Sequence, residues 1–330
     1  MSNANAGNNL RLDCLKLGVT ADKAYEMASK KNGYDFLIHR NEHGALFKGG
    51  YLQKIVVTDV PLLSFDFGYF GHYNSFMVDF YLRDMSSSIN LEWNALSSTV
   101  NWNAAPRYIQ DYRQNSIDRV NSFRGASIED VSLENTVTIW MQWNTELLRK
   151  ELFVNGKRIP QYQWINLIAA KIKALGLVPV VKMGIVDHSE IYKGTSPFVD
   201  SDILMICDRE EVAKSNPKAF FDKDANNKLI ANSKYHVLLC SSVSNEIVLN
   251  EKPIITTGRS WFNGLDIFHE PKSWDDSFAE PKINIVARNK WINWWLSRQT
   301  KLENTDDKIL EVYNLAKAFI SGNPIIDYQI

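Results

Sequence analysis

The sequence is poor in several features that would by themselves assign a protein class. Its 330 residues include only three cysteines, Cys14, Cys207 and Cys240, which are widely separated and form no CxxC pair. A disulfide scaffold and a cysteine-based zinc site are therefore excluded, and a reducing cytoplasm is the expected compartment. No apolar run approaches the roughly 20 residues that a membrane-spanning helix needs, so no membrane span is predicted.

An excess of charge of one sign is also missing. Lys and Arg number 37 against 38 Asp and Glu, which gives a net charge of −1. A globally basic surface for nucleic acid is excluded, although a local basic patch is not. The first nine residues are small and polar, without the basic and apolar regions that are typical of a secretory signal.

What the chain does contain is typical of a folded globular protein. Hydrophobic residues make up 45% and charged residues 23% of the sequence, and this length favours about two domains. Strand patterns begin in the first half, where a strand is predicted at 62–67. Residues 83–135 are polar and are interpreted as loops with a little helix. From residue 136, apolar strands alternate with helical patterns. The predicted strands of this part are 136–142, 177–183, 202–207, 236–240 and 253–257, with helices at 162–175, 243–250, 288–298 and 306–319.

This alternation predicts an α/β fold with a parallel sheet. We expect a boundary near residue 135, with one domain over 1–135, a second over 136–330, and the final helix crossing back onto the first. In parallel sheets, ligands bind at the carboxyl ends of the strands. Two predicted strand ends there carry anion-binding groups, the first with Ser241 and Ser242, the second with Thr257, Gly258 and Arg259. The alternative is that Ser241 only caps a helix and Gly258 only turns the chain.

The segment from Ser241 to Phe262 resembles the donor-site motif of GT-B glycosyltransferases, and is most similar to capsule-polysaccharide transferases and bacteriophage-encoded, DNA-modifying glycosyltransferases. Its features are a small polar pair, a helix with Glu246, Lys252-Pro253, a strand, and a Gly258 loop with an aromatic residue. Where many members have Gly before Lys-Pro, this chain has Asn250-Glu251. The resemblance implies two Rossmann-like domains facing a cleft, of which the N-terminal one is reduced or atypical.

The resemblance also implies the chemistry. It predicts transfer of a sugar from a nucleotide-sugar co-substrate to a hydroxyl, with no cofactor and no metal. The residues that it assigns to the donor are Lys182, Ser241, Ser242, Glu246, Thr257, Gly258 and Arg259. For Lys182 and Glu246 the alternatives are a strand-end side chain that reaches solvent and a solvated helix face.

Residues 63–71 resemble the Asp-x-Gly-Tyr-aromatic segment near the start of phage-type members, with Asp66 as the acidic residue. His72 follows this segment directly. An inverting transferase needs one base that takes the proton of the acceptor hydroxyl. Asp66 is the candidate, with His72 as the second choice. The alternative for Asp66 is a turn residue that caps its own loop.

The function is left open between three hypotheses, of which the first two differ in the acceptor. Aromatic and arginine side chains alternate at Trp102, Arg107, Tyr108 and Arg113, a pattern that suits contact with nucleic acid. Because the phage-type members include candidates that glycosylate hydroxymethylated pyrimidines, double-stranded DNA in a host cytoplasm is one acceptor. A surface or capsular glycan is the second, and a non-catalytic nucleotide-sugar-binding protein is the third.

Overall fold

The computed structural model of the chain describes its residues in segments. These are 37–40, 62–67, 75–79, 89–141, 153–154, 157–159, 161–183, 202–215, 218–239, 241–258, 263–273, 278–279, 281–297 and 299–301. The described chain divides into two compact units. One unit comprises Met1–Tyr112 and Val286–Ile330, and the other comprises Arg113–Ile285.

The first unit contains a four-stranded sheet of order β1-β2-β3-β12. Its strands are β1 (Leu37–Arg40), β2 (Leu62–Phe67), β3 (Ser75–Asp79) and β12 (Gln299–Lys301). β1 pairs with β2 in parallel, while β3 is antiparallel to both β2 and β12. The predicted strand at 62–67 is therefore confirmed with its bounds, and the C-terminal β12 completes the sheet of the N-terminal strands. Helix α1 (Ile89–Glu92) also belongs to this unit.

The second unit contains a six-stranded sheet in which every described pairing is parallel. Its strands are β4 (Thr136–Trp140), β7 (Val178–Met183), β8 (Leu204–Cys207), β9 (Ala219–Phe221), β10 (Tyr235–Leu238) and β11 (Ile254–Thr256). A small hairpin of β5 (Phe153–Val154) and β6 (Lys157–Arg158) follows β4. The predicted α/β class with a parallel sheet is confirmed.

The strand order of this sheet, β11-β10-β4-β7-β8-β9, reverses beside its first strand. From β4 the chain builds outward through β7, β8 and β9, and it then returns to place β10 on the other side of β4. Such a reversal is a topological switch point, where loops leave the two central strands in opposite directions and open a crevice at their carboxyl ends. Here the switch point lies between Trp140, which ends β4, and Leu238, which ends β10.

The connecting helices follow the strands closely. They are α3 (Gln161–Ala174), α4 (Glu210–Ser215), α5 (Ala225–Asn232) and α6 (Ser244–Leu249). Helix α3 is followed by a glycine cap: Gly176 has φ +73°, and the amides of Gly176 and Leu177 donate to the carbonyls of Lys173 and Ile172. This is a Schellman cap, in which glycine takes the left-handed position without steric cost.

The two faces of the six-stranded sheet differ in chemistry. One face presents Val137, Ile139 and Val181 to the buried side of α3, where Trp164, Ile165 and Ile168 complete the hydrophobic core. Side chains alternate along a strand, so the residues between these belong to the other face. That face is rich in polar groups, all buried: Thr136, Thr138, Trp140, Lys182 and His236.

The interpretation of 83–135 as loops is wrong for its centre, which forms the 15-residue helix α2 (Arg107–Asn121). Only three of its residues are fully buried, and one of them is a serine: Ile109, Ser116 and Val120. The apolar stripe is therefore too thin to produce a helical period in the sequence.

Helix α7 (Ile285–Leu296) confirms the predicted helix at 288–298 and buries Trp291, Trp294 and Trp295 completely. Among the helices that the structure describes, none is both long and apolar enough to cross a bilayer.

Candidate functional site

Two of the predicted strand ends lie side by side in the sheet. β10 and β11 are parallel neighbours, with Leu238 opposite Thr256 in register. Ser241 and Ser242 follow the first strand, and Thr257 and Gly258 follow the second. Because β10 also pairs with β4, these polar residues lie next to the switch point, at the carboxyl edge of the sheet. This is the edge at which parallel α/β sheets bind their ligands.

Gly258 allows the two strand ends to lie this close. A Cβ atom at this position would lie 2.9 Å from Cβ of Leu239 and 3.0 Å from its Cα and carbonyl carbon. Two of these three neighbours are backbone atoms that cannot rotate away. The sequence requirement for glycine is therefore steric at this position, and it does not come from a positive φ angle.

The turn after β10 is closed by its own hydrogen bonds. The amides of Ser244 and Asn245 donate to the carbonyls of Ser241 and Ser242, at 3.0 and 3.1 Å, and the amide of Val243 donates to Oγ of Ser241 at 3.4 Å. Helix α6 begins at Ser244 with Val243 as its N-cap residue, and no side chain caps it. The expected serine cap is therefore absent, and the groups that this turn offers a ligand are the hydroxyls of Ser241 and Ser242.

Thr257 is held by two hydrogen bonds from opposite sides. Its amide donates to the carbonyl of Leu238 at 3.2 Å, which continues the ladder between the two strands. Its hydroxyl oxygen accepts the indole N–H of Trp164 at 2.8 Å. Trp164 is completely buried in the first turn of α3, so the hydroxyl position is fixed from within the core.

The ammonium group of Lys182 is buried inside the protein. Its side chain is only 4% exposed, and Nζ donates to Oδ1 of Asp208 at 3.0 Å and to the carbonyl of Met183 at 2.7 Å. Burial lowers the pKa of this ammonium, and the charge of Asp208 offsets part of the effect. Asn226 of α5 donates to the second oxygen of Asp208 at 3.1 Å. The buried charge is therefore compensated by a carboxylate, where the sequence suggested either a phosphate or solvent.

Glu246 likewise has a protein partner. Oε1 of Glu246 accepts a hydrogen bond from Nη2 of Arg119 at 2.8 Å, and Nε of the same guanidinium donates to Asn227 at 3.0 Å. The pair is half-buried, with 46% of the Arg119 side chain and 23% of the Glu246 side chain exposed. The helices α2, α5 and α6 are joined by this contact, so Glu246 is not simply part of a solvated face.

The proposed catalytic residues belong to the first unit. Asp66 is the fifth residue of β2 and lies opposite Met77 of β3 in register. His72 and Arg259 lie outside the described residues.

The four residues proposed for the acceptor lie on and just before α2. Arg107 and Tyr108 open this helix, Arg113 follows on its second turn, and Trp102 precedes it in a turn. Arg107 forms an ion pair with Asp111 at 2.9 Å, and its side chain is 83% exposed. The helix carries three arginines and two aspartates, so its net charge is only one positive.

Sequence reasoning missed Asp208, Asn226 and Trp164. Asp208 follows a buried strand directly, so the same strand-end argument that selected Ser241 would have found it. Asn226 and Trp164 gave no such signal, because their partners Asp208 and Thr257 are 18 and 93 residues away.

Comparisons with known proteins give only distant similarities. No protein-family profile matches the chain, and no curated protein matches it. Among solved structures, the KpsC β-Kdo 2,7 transferase of Thermosulfurimonas dismutans superposes with a TM-score of 0.48 at 12% identity, covering 90% of this chain and 91% of that one. The KpsC β-Kdo 2,4 transferase of the same organism gives a TM-score of 0.45 at 12% identity, covering 81% and 85%. At this identity no residue role transfers to the chain.

Proposed function

We propose that the protein is a glycosyltransferase that moves a sugar from a nucleotide-activated donor to a hydroxyl group. The observation that carries the proposal is the placement of Ser241, Ser242, Thr257 and Gly258. They form the centre of the GT-B-like donor motif, and they lie on two adjacent strand ends beside the switch point of a parallel sheet. A sequence motif and an independent rule of fold topology thus select the same edge.

The reaction joins the acceptor oxygen to the anomeric carbon of the sugar while the bond from that carbon to the donor phosphate breaks. The proton of the acceptor hydroxyl passes to a carboxylate, for which Asp66 is the proposed base. The negative charge that develops on the leaving phosphate is met by hydroxyl groups of Ser241 and Thr257 and by Arg259. Stabilisation of the charge that develops on a leaving group is a main source of enzymatic rate acceleration.

We favour a carbohydrate hydroxyl as the acceptor over DNA. The helix that would contact DNA has a net charge of one positive, and Asp111 already pairs with Arg107. Phosphate contacts dominate affinity for DNA and require several uncompensated cations. Retention on heparin that is lost on adding salt would instead support DNA, and so would protection of Arg107 and Arg113 from modification by duplex DNA.

The direct test of the donor site is a binding screen. Thermal unfolding is measured with UDP, GDP, CDP and CMP and with their sugar conjugates, each at about 100 times the expected dissociation constant. A ligand at that excess stabilises the folded state by about 2.7 kcal/mol, which raises the unfolding temperature by several degrees. If none of these nucleotides stabilises the wild-type protein, the proposal is wrong.

Turnover separates an enzyme from a binding protein. With the donor identified, hydrolysis or transfer of its sugar is followed in wild type and in Asp66→Asn. We expect the variant to bind the nucleotide as wild type does and to lose most of its turnover. Equal turnover in both proteins would remove Asp66 from the mechanism, whereas donor binding without any turnover in wild type would leave only a nucleotide-sugar-binding protein.

A further inference from the structure

The hydroxyl of Thr257 accepts a hydrogen bond from Trp164, a residue of the hydrophobic core. An indole N–H is a donor and never an acceptor, so in the contact between Trp164 and Thr257 the threonine oxygen must accept. That contact is 2.8 Å long and its donor is fully buried. The Thr257 hydroxyl therefore keeps its own proton for another partner, and none of the described residues accepts it.

Ser241 is polarised in the same way from the neighbouring strand end. Its Oγ accepts the amide of Val243 at 3.4 Å, and a backbone amide is also only a donor. Both side chains are half-buried, so both reach the surface at the carboxyl edge of the sheet. The adjacent Thr256 differs, because its hydroxyl donates to the carbonyl of Leu239 at 2.6 Å inside the protein and is completely buried.

Two neighbouring hydroxyls that both accept from the protein can both donate to a ligand. The geometry points to Trp164 as a positioning residue that fixes Thr257 as a hydrogen-bond donor toward the phosphate oxygens of the nucleotide. This inference rests on the proposed function, and it names the part of the donor that these residues contact.

Phosphate is the group that matches this polarity. Ionised phosphate oxygens only accept hydrogen bonds, and those from hydroxyls to a charged group are among the stronger ones. Sugar hydroxyls both donate and accept, so they do not require a donor as their partner, whereas ionised phosphate does. The amide of Thr257 is already committed to Leu238, which leaves the hydroxyl as the group of this residue that can recognise a ligand.

Three variants test the inference by calorimetry, with UDP, GDP, CDP and CMP as probes and the tightest-binding nucleotide carried forward. Thr257→Val keeps the shape of the side chain without the hydroxyl, and we expect it to weaken binding about tenfold or more. Thr257→Ser restores the hydroxyl and is expected to bind within about threefold of wild type. Trp164→Phe removes only the directing N–H while keeping an aromatic ring in the core, and we expect binding about three- to tenfold weaker.

Thermal unfolding of each variant without ligand is measured alongside. A purely structural role for Trp164 would lower the unfolding temperature of Trp164→Phe and leave the affinity of the folded protein unchanged. That result, or equal binding by Thr257→Val and wild type, overturns the inference and leaves the proposed function in place. If wild type binds none of the four nucleotides, both are overturned. Should Trp164→Phe fail to fold, the contrast between valine and serine at position 257 still decides whether the hydroxyl donates.

Discussion

The indole N–H of Trp140 donates a hydrogen bond to Nδ1 of His236 at 3.2 Å, across the two strands that flank the switch point. Both side chains are buried, and their rings lie 5.9 Å apart between centroids with a tilt of 51°. Because Nδ1 accepts this bond, His236 must be unprotonated at that nitrogen. Two buried aromatic rings at the centre of the sheet are therefore joined by a polar contact.

We expect Trp140→Phe to destabilise the protein by about 2 kcal/mol, through the lost hydrogen bond and the unfilled volume. Urea unfolding monitored by circular dichroism measures the change. Trp102→Phe is the matched control, since Trp102 lies in a turn and is only partly buried, and it should change the free energy of unfolding by less than about 1 kcal/mol. Equal effects of the two substitutions would contradict a special role for Trp140.

Glu251 occupies a position that favours glycine. It follows α6 with φ +56°, and the amides of Glu251 and Lys252 donate to the carbonyls of Val248 and Ile247. The pattern is the same Schellman cap that Gly176 completes after α3. We predict that Glu251→Gly stabilises the protein by about 0.5–1 kcal/mol, because relief of the left-handed strain exceeds the added freedom of the unfolded chain.

The control for this prediction is Glu251→Ala, which removes the same side chain but keeps the strained backbone. Chemical denaturation of the three proteins compares them directly. A gain in alanine as large as that in glycine would mean that the glutamate side chain, and not the backbone angle, causes the strain.

Gly258→Ala should damage both folding and the donor site. The added methyl group would press on the backbone of Leu239 at 3.0 Å and push the end of β11 away from β10. Overpacking of this kind costs about 1–3 kcal/mol. We expect a lower unfolding temperature together with weaker nucleotide binding. Gly264→Ala serves as the comparison, since a Cβ there meets no other group within 4 Å and only its φ of +78° is strained. Unchanged affinity in folded Gly258→Ala would show that the spacing of the strand ends does not matter for the ligand.

The pair of Lys182 and Asp208 should make stability depend on pH in the alkaline range. Burial lowers the pKa of Lys182 in the folded state, so between that pKa and its ordinary value of about 10.4 the unfolded chain binds more protons. Stability then rises with pH across this window. Chemical denaturation at several pH values in wild type and in Lys182→Met measures the effect, and the rise should be absent from the variant.

Removing the carboxylate is the sharper change at the same pair. Asp208→Asn leaves the buried ammonium without its counter-charge, and we expect a loss of about 1–3 kcal/mol at pH 7. Lys182→Met should cost less, because Asp208 is 27% exposed and remains solvated. If Lys182→Met proves the more damaging of the two, the ammonium has a favourable role that burial and this ion pair do not explain.

The order of strands and helices along the chain was enough to predict the class of the fold and the edge of the sheet that carries the candidate site. Alternating apolar strands and periodic helices require a parallel sheet, since each strand must be buried on both faces, and the polar residues that follow Leu239 and Thr256 then reach its carboxyl edge. Helix α2 could not be predicted from the sequence, because its buried stripe contains only two apolar residues. Nor could the sequence show β12, whose antiparallel partner Ser75–Asp79 lies more than 200 residues earlier.

The hydrogen-bond partner of each polar group could be assigned only from the folded chain. Lys182 and Glu246 have the residue types of ligand-binding groups, yet Asp208 and Arg119 hold them within the protein. The hydroxyl of Thr257 accepts a hydrogen bond from Trp164, which lies 93 positions away in the sequence. The physical reason is that a hydrogen bond depends on distance and direction in space. Local sequence patterns determine which strand a residue follows, whereas the positions of α2, α3 and α5 in the folded chain determine which partner it meets.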